Sequence, residues 1–188
     1  LNYTFDNAGQ DHNSSTVNLL SFSNNFAGAG WTNDGNVNLT QGTVSPDGLS
    51  TAWILTGVTS NSNTAYLSQN ISIVPSNGFT SPNQPYTVSV HLKYNTASYT
   101  DIHAMFTGVS TRSSGIRINW DTIPTVTTVD ANGDGGFTPT SYGLVTLPDG
   151  WYRVWFVVYD TVATKTTLQI RLYPVSYTHL TLPTNREV

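Results

Sequence analysis

The stretch Tyr86-Thr-Val-Ser-Val-His-Leu-Lys-Tyr94 decides the fold class. Val88, Val90 and Leu92 fall on one parity, while Thr87, Ser89, His91 and Lys93 fall on the other. A period of two puts the first set in an apolar core and turns the second toward water or a ligand, which is the pattern of a half-buried antiparallel strand. Outward from it, β-branched and aromatic runs recur at 36–44, 50–57, 64–73, 85–94, 101–108, 115–121, 125–130, 142–147, 151–160 and 165–173, and no helical window of useful length interrupts them. Turn clusters separate them: Ser45-Pro-Asp-Gly48, Pro75-Ser-Asn-Gly78, Ser81-Pro-Asn-Gln-Pro85, Asp130 to Gly136 and Pro148-Asp-Gly150. Each supplies a fixed φ, a side-chain cap or a glycine able to take positive φ. The pattern predicts an all-β chain, a two-sheet antiparallel β-sandwich.

With 188 residues the chain is long enough for one sandwich with a real core and too short for two ordinary domains. Only 10% of residues are charged while 38% are hydrophobic, so the surface is dressed in hydroxyls and amides rather than ions. A net charge of −4 without a Lys/Arg run lacks the electrostatic footprint of nucleic-acid binding. No apolar run approaches the roughly 20 residues of a membrane-spanning helix. The absence of cysteine removes disulfides, zinc-thiolate sites and thiol nucleophiles.

Several segments carry a resemblance: Asn18-Leu-Leu-Ser-Phe-Ser-Asn-Asn-Phe26 followed by Trp31, Pro46-Asp-Gly48 leading to Thr51-Ala52, Tyr86-Thr-Val-Ser89 with Lys93, and Gly150-Trp-Tyr-Arg153. In this order the chain resembles the jelly-roll domains, similar to carbohydrate-binding modules, of phage tail and other virus-associated proteins, including metagenomic ones. The resemblance runs from about Asn18 to Tyr173. It implies a jelly roll that binds an oligo- or polysaccharide without breaking a bond, in an extracellular or virion-associated setting, alongside other domains of a larger parent protein. A structural or interaction domain of a tail appendage is the alternative reading. Members usually continue with a strand bearing a Trp-Gly-Ala-Gln type motif, which this chain lacks, so an open sheet edge is expected. The last residues, Val175-Ser-Tyr-Thr-His-Leu-Thr-Leu-Pro-Thr-Asn-Arg-Glu-Val188, resemble a translated sequencing adapter. The expected organisation is therefore 1–16 as a linker or the end of an upstream segment, 17–174 as the domain and 175–188 as a non-native tail, which would pair at the open edge as a substitute strand.

Sugar rings present apolar C–H faces rimmed by hydroxyls, so a site for them needs aromatic planes flanked by hydrogen-bonding side chains. Trp53 stands where the resembling domains carry an outward residue, and Trp155 lies opposite Val154, Phe156 and Val158; both are candidate platforms. Trp31, Trp120 and Trp151 are assigned to packing. His91, on the face of Ser89 and Lys93, and His103, on the face of Asp101 and Met105, are candidate ligand contacts. Arg117 and Asn119, and Arg153 and Tyr159 on the Trp155 face, are expected to supply hydrogen bonds across the same cleft. A glycosidase needs two carboxylates at a set separation. Asp101 and Asp121 are the only plausible inward pair, and hydrolysis is not expected. Asp130-Ala-Asn-Gly-Asp-Gly135 matches the first half of a calcium loop, with Asp130, Asn132 and Asp134 as the oxygen donors. Ser141 at the twelfth position lacks the bidentate acid, so the segment reads as a hairpin or, at most, part of a structural calcium site.

Overall fold

The computed structural model describes residues 19–21, 23, 25–34, 37–57, 65–73, 84–95, 97–108, 111–129, 137–159 and 165–174, and the backbone of Thr178–Thr181. The strands in chain order are β1 (Thr32–Asn33), β2 (Val37–Thr43), β3 (Ala52–Gly57), β4 (Leu67–Ser72), β5 (Tyr86–Lys93), β6 (Tyr99–Gly108), β7 (Arg112–Asn119), β8 (Thr125–Val129), β9 (Ser141–Thr146), β10 (Trp151–Val158), β11 (Lys165–Pro174) and β12 (Thr178–Thr181). They form two six-stranded antiparallel sheets, a first sheet ordered β1-β4-β11-β6-β7-β8 and a second ordered β2-β3-β12-β5-β10-β9.

The pairings reveal how the chain is wound. β3 pairs with β12, β4 with β11, β5 with β10 and β6 with β7, and each successive pair lies in the other sheet. One long antiparallel ribbon thus wraps over itself, which is the jelly roll. Every predicted strand is present within two or three residues at its ends. β1 is additional, and β12 falls in the tail expected to pair as a substitute strand.

The placement of β12 differs from the expectation of an open edge. It lies inside the second sheet, with Thr178 opposite Leu55 on one side and Leu180 opposite Leu92 on the other. The ribbon winding explains this, because the partner of β3 must come from the chain after β11. Residues 178–181 supply the backbone groups that β3 and β5 would otherwise leave unpaired.

Alternation puts one face of each strand into a common core. Val88, Val90 and Leu92 of β5 and Val154, Phe156 and Val158 of β10 meet Ile102, Ala104 and Phe106 of β6, Ile116 and Ile118 of β7 and Leu168, Ile170 and Leu172 of β11. Side chains of this kind contribute about 1.5–3 kcal/mol each when fully buried. Trp31 and Trp120 belong to this core, Trp120 on the parity of Ile116 and Ile118, and the Trp120 indole N–H donates to Thr100 Oγ1 at 2.9 Å. Trp151 is only 2% exposed but sits outside this cluster, on the outward parity of β10.

Two of the predicted turns fall within the described residues, and their geometry follows their residue types. In Ser45-Pro-Asp-Gly48 the Gly48 N–H donates to Ser45 C=O at 2.9 Å with φ +81°, and Asp47 accepts from the Leu49 N–H at 3.1 Å. In Pro148-Asp-Gly150, a single 3₁₀ turn, Asp149 and Gly150 both adopt positive φ.

Candidate functional site

Since both sheets give their inner faces to one core, the two outward faces lie on opposite sides of the sandwich. Register then sorts the expected site residues into two groups. His103 and Arg117 lie on the outward face of the first sheet, with Asn119 one step further along β7. His91, Arg153 and Trp155 lie on the outward face of the second, where Arg153 is opposite His91 and Trp155 is opposite Ser89, and Tyr159 directly follows β10. The expectation of one shared cleft is therefore corrected. Local alternation fixes which face a residue takes, and only the winding decides which sheet it joins.

Trp53 is a second correction. It shares the inward parity of Leu55, is 7% exposed, and packs edge-on against Phe26 at a centroid distance of 6.5 Å. It is a core residue and offers no platform. Asp130, Asn132 and Asp134 lie outside the described residues. Among the described residues no His/Asp/Glu group is arranged to hold a metal ion. The two candidate acids differ in setting: Asp101 is buried against Arg117, and Asp121 is exposed in the bend after β7.

The first sheet's outward face is built across β4, β11, β6 and β7. In one cross-strand row Tyr173 faces Asp101, which faces Arg117; in the next Ser68 faces Arg171, then His103, then Gly115. Arg117 donates from Nε and Nη2 to the two oxygens of Asp101 at 2.7 Å each, a bidentate pair that holds both groups rigid. Its guanidinium also lies 3.8 Å from the Tyr99 ring centroid. Arg171 is held by a separate chain. Its Nε donates to Gln169 Oε1 at 2.6 Å, and the Gln169 amide donates to Asn70 Oδ1 at 2.8 Å. Its Nη1 donates to the Tyr173 hydroxyl at 3.3 Å, and its guanidinium carbon stands 4.5 Å from the Tyr66 ring centroid. Tyr173 packs against Tyr66 at 5.2 Å and against His103 at 4.6 Å between ring centroids. Rings and oriented polar groups alternate within one surface.

Sequence reading missed Tyr66, Asn70, Tyr99, Gln169, Arg171 and Tyr173 here. The signal existed in β11, where Gln169, Arg171 and Tyr173 alternate with Leu168, Ile170 and Leu172. Tyr159 is the one tyrosine expected at the site from sequence, and a start at 101 for β6 leaves Tyr99 outside its strand.

On the second sheet's outward face, Trp155 lies over Gly143 of β9. A Cβ at Gly143 would stand 3.0 Å from three adjacent indole atoms, so the glycine makes room for the ring to lie across the sheet. His91 beside it is lowered to about 4, first by burial and then by the positive charge of Arg153, against the opposing pull of Asp47.

His103 is likewise lowered to about 4. Burial is the main cause; Arg171 and Arg117 add to it and Asp101 opposes them. Both imidazoles are therefore neutral at pH 7. Between pH 6.5 and about 4 the unfolded chain takes up protons that the folded one refuses, so stability falls as the solution is acidified through that window. The drop from 6.5 to about 4 corresponds to at most about 3 kcal/mol for His103, and less for the more exposed His91. Melting curves from pH 7.5 to 4.5 are expected to show this loss and His103→Gln to flatten it. A variant with the wild-type slope would refute the assignment.

No protein-family model and no curated protein matches the sequence. Among solved structures, the chain is similar to the CBM22-1–GH10 modules of the N-terminal endo-1,4-β-D-xylanase 10B of Clostridium thermocellum, complexed with xylohexaose. The identity is 13% and the TM-score 0.46, over 87% of this chain and 26% of that one, so this chain spans about a quarter of the other's length.

Proposed function

We propose that the chain is a non-catalytic carbohydrate-binding module and that the outward face of the first sheet holds the glycan. The observation that carries this reading is the convergence of Tyr66, Tyr99 and His103 on one sheet face, with the buried Tyr173 packed against Tyr66 and His103, alongside the Arg117–Asp101 pair and the Arg171–Gln169–Asn70 chain. Rings that meet C–H faces and polar groups already fixed by one another give a ligand stacking surface and hydrogen bonds at little ordering cost. Asp101, with both oxygens committed to Arg117, serves as a scaffold and a hydrogen-bonding partner rather than a proton donor to a glycosidic bond. The module acts outside the cell or on a virion, as one part of a longer protein in which repetition would raise a modest single-site affinity.

The second sheet's outward face supports the rival reading, a surface that packs against another protein. There the edge strand β9 exposes Val145, opposite Arg153 and on the same face as Trp155. Titration against a panel of soluble polysaccharides, by affinity electrophoresis and calorimetry, separates the two. Tyr66→Ala is expected to weaken binding by roughly 5- to 30-fold, from a stacked ring worth about 1–2 kcal/mol, while Trp155→Ala leaves it unchanged. Loss through Trp155→Ala alone would move the site to the second sheet, and no binding by the folded protein would favour the protein-packing surface.

A further inference from the structure

We infer that the glycan taken by the first sheet is acidic, a uronate-bearing polysaccharide whose carboxylate docks on Arg171; this rests on the carbohydrate reading above. The argument is one of charge balance on a single face. Arg117 is neutralised by Asp101 through two 2.7 Å hydrogen bonds. Arg171 has only neutral partners: the Gln169 carbonyl oxygen, the Tyr173 hydroxyl and the Tyr66 ring. Among the described residues no carboxylate pairs with it.

The neighbouring strands bring neutral groups besides the Arg117–Asp101 pair, and one further carboxylate, Asp34 just after β1, accepts from the Tyr66 N–H at 3.4 Å. β4 brings Ser68 and Asn70, β6 brings His103 and Met105 besides Asp101, and β7 brings Ser113 and Gly115 besides Arg117. Among the described residues of this face Arg117 is ion-paired and Arg171 is not, although the chain as a whole has a net charge of −4. A guanidinium has five N–H donors, and among the described residues protein oxygens take two of them, one on Nε and one on Nη1. The remaining three are on the two terminal nitrogens, whose geometry matches the two oxygens of a carboxylate.

The support around Arg171 is what positions those donors. Because the Gln169 amide donates to Asn70, its oxygen is turned toward Arg171 Nε, and the Tyr66 ring fixes the plane of the guanidinium. A guanidinium held at Nε and Nη1 presents its terminal nitrogens in a fixed plane, the arrangement that suits a planar anion. The Tyr66 ring beside it, backed by the buried Tyr173 ring at 5.2 Å between centroids, offers the sugar ring that bears the carboxylate an apolar surface within the same reach. A single charge on an acidic protein favours an isolated carboxylate presented by a sugar over a dense polyanion such as nucleic acid.

The test uses the whole chain and pairs of polymers that differ only in charge: polygalacturonate, alginate and glucuronoxylan, each beside its carboxyl-reduced derivative, with dextran sulfate as a sulfate-bearing comparison. At low ionic strength at least one uronate polymer is expected to bind, and carboxyl reduction to weaken it by tenfold or more. Arg171→Gln should weaken binding of the uronate polymer similarly and leave any residual binding of the reduced polymer untouched, while Arg171→Lys should recover part of the loss. Because carboxyl reduction is read on the wild-type chain, the result stands even if a variant fails to fold. Equal binding of the native and reduced polymers, with Arg171→Gln inert, would overturn the acidic assignment and leave the carbohydrate reading in place. Binding to dextran sulfate alone would overturn the uronate assignment. Binding to no polymer, charged or reduced, would overturn both.

Discussion

Gly115→Ala is expected to lower the melting temperature by roughly 6–12 °C and to damage the candidate binding face at the same time. Gly115 lies in the middle of β7, opposite His103 of β6. A Cβ there would stand 2.3 Å from the backbone oxygen of Ile102, 2.6 Å from His103 Cδ2 and 3.0 Å from His103 Cα. Two of those atoms belong to the backbone of a paired strand, so no rotamer change relieves the overlap and the strands themselves must part. Overpacking of this kind costs about 3 kcal/mol or more, and in a domain of this size each kcal/mol moves the melting temperature by roughly 2–4 °C. The strain would fall where the Arg117–Asp101 pair bridges the same two strands. Thermal melting followed by circular dichroism checks the prediction; a wild-type melting temperature would mean that β6 and β7 separate at almost no cost.

Phe106→Ala should destabilise by about 3–5 kcal/mol, the usual cost of removing a large buried aromatic. Phe106 is 1% exposed. From β6 in the first sheet it reaches Tyr86 of β5 in the second, at a centroid distance of 5.9 Å, and it also meets Phe137 at 5.4 Å. It therefore joins the two layers, and the cavity left behind would lie between sheets held apart by their other core side chains. Phe106→Leu keeps most of the volume and should cost less than half as much. Denaturant titration at neutral pH measures both. Similar losses for the two substitutions would show that ring contacts across the sheets, rather than filled volume, set the cost.

Much of the candidate site was within reach of the sequence, but not its grouping. The outward parity of His91, His103, Arg117, Arg153 and Trp155 followed from alternation alone, and the structure agrees for each. Trp53 went the other way because its expected exposure came from resemblance rather than from parity with Leu55, which correctly places it inward. The cross-strand contacts of Tyr66, Tyr173 and Arg171 join residues about a hundred positions apart in the chain. No local pattern encodes them.

The sequence by itself determined the strands, their inward and outward faces, the main tryptophans of the core and the turns at Ser45–Gly48 and Pro148–Gly150, because these depend on neighbours within a few residues: a period of two, proline φ and glycine freedom. Tertiary structure alone settles which strands share a sheet, that the two groups of candidate residues lie on opposite faces, that residues 178–181 fill an interior position, and that among the described residues Arg117 has a carboxylate partner while Arg171 has none. Those outcomes depend on how one ribbon winds between two layers, and the energy that selects the winding comes from side chains meeting across the core after the strands have formed.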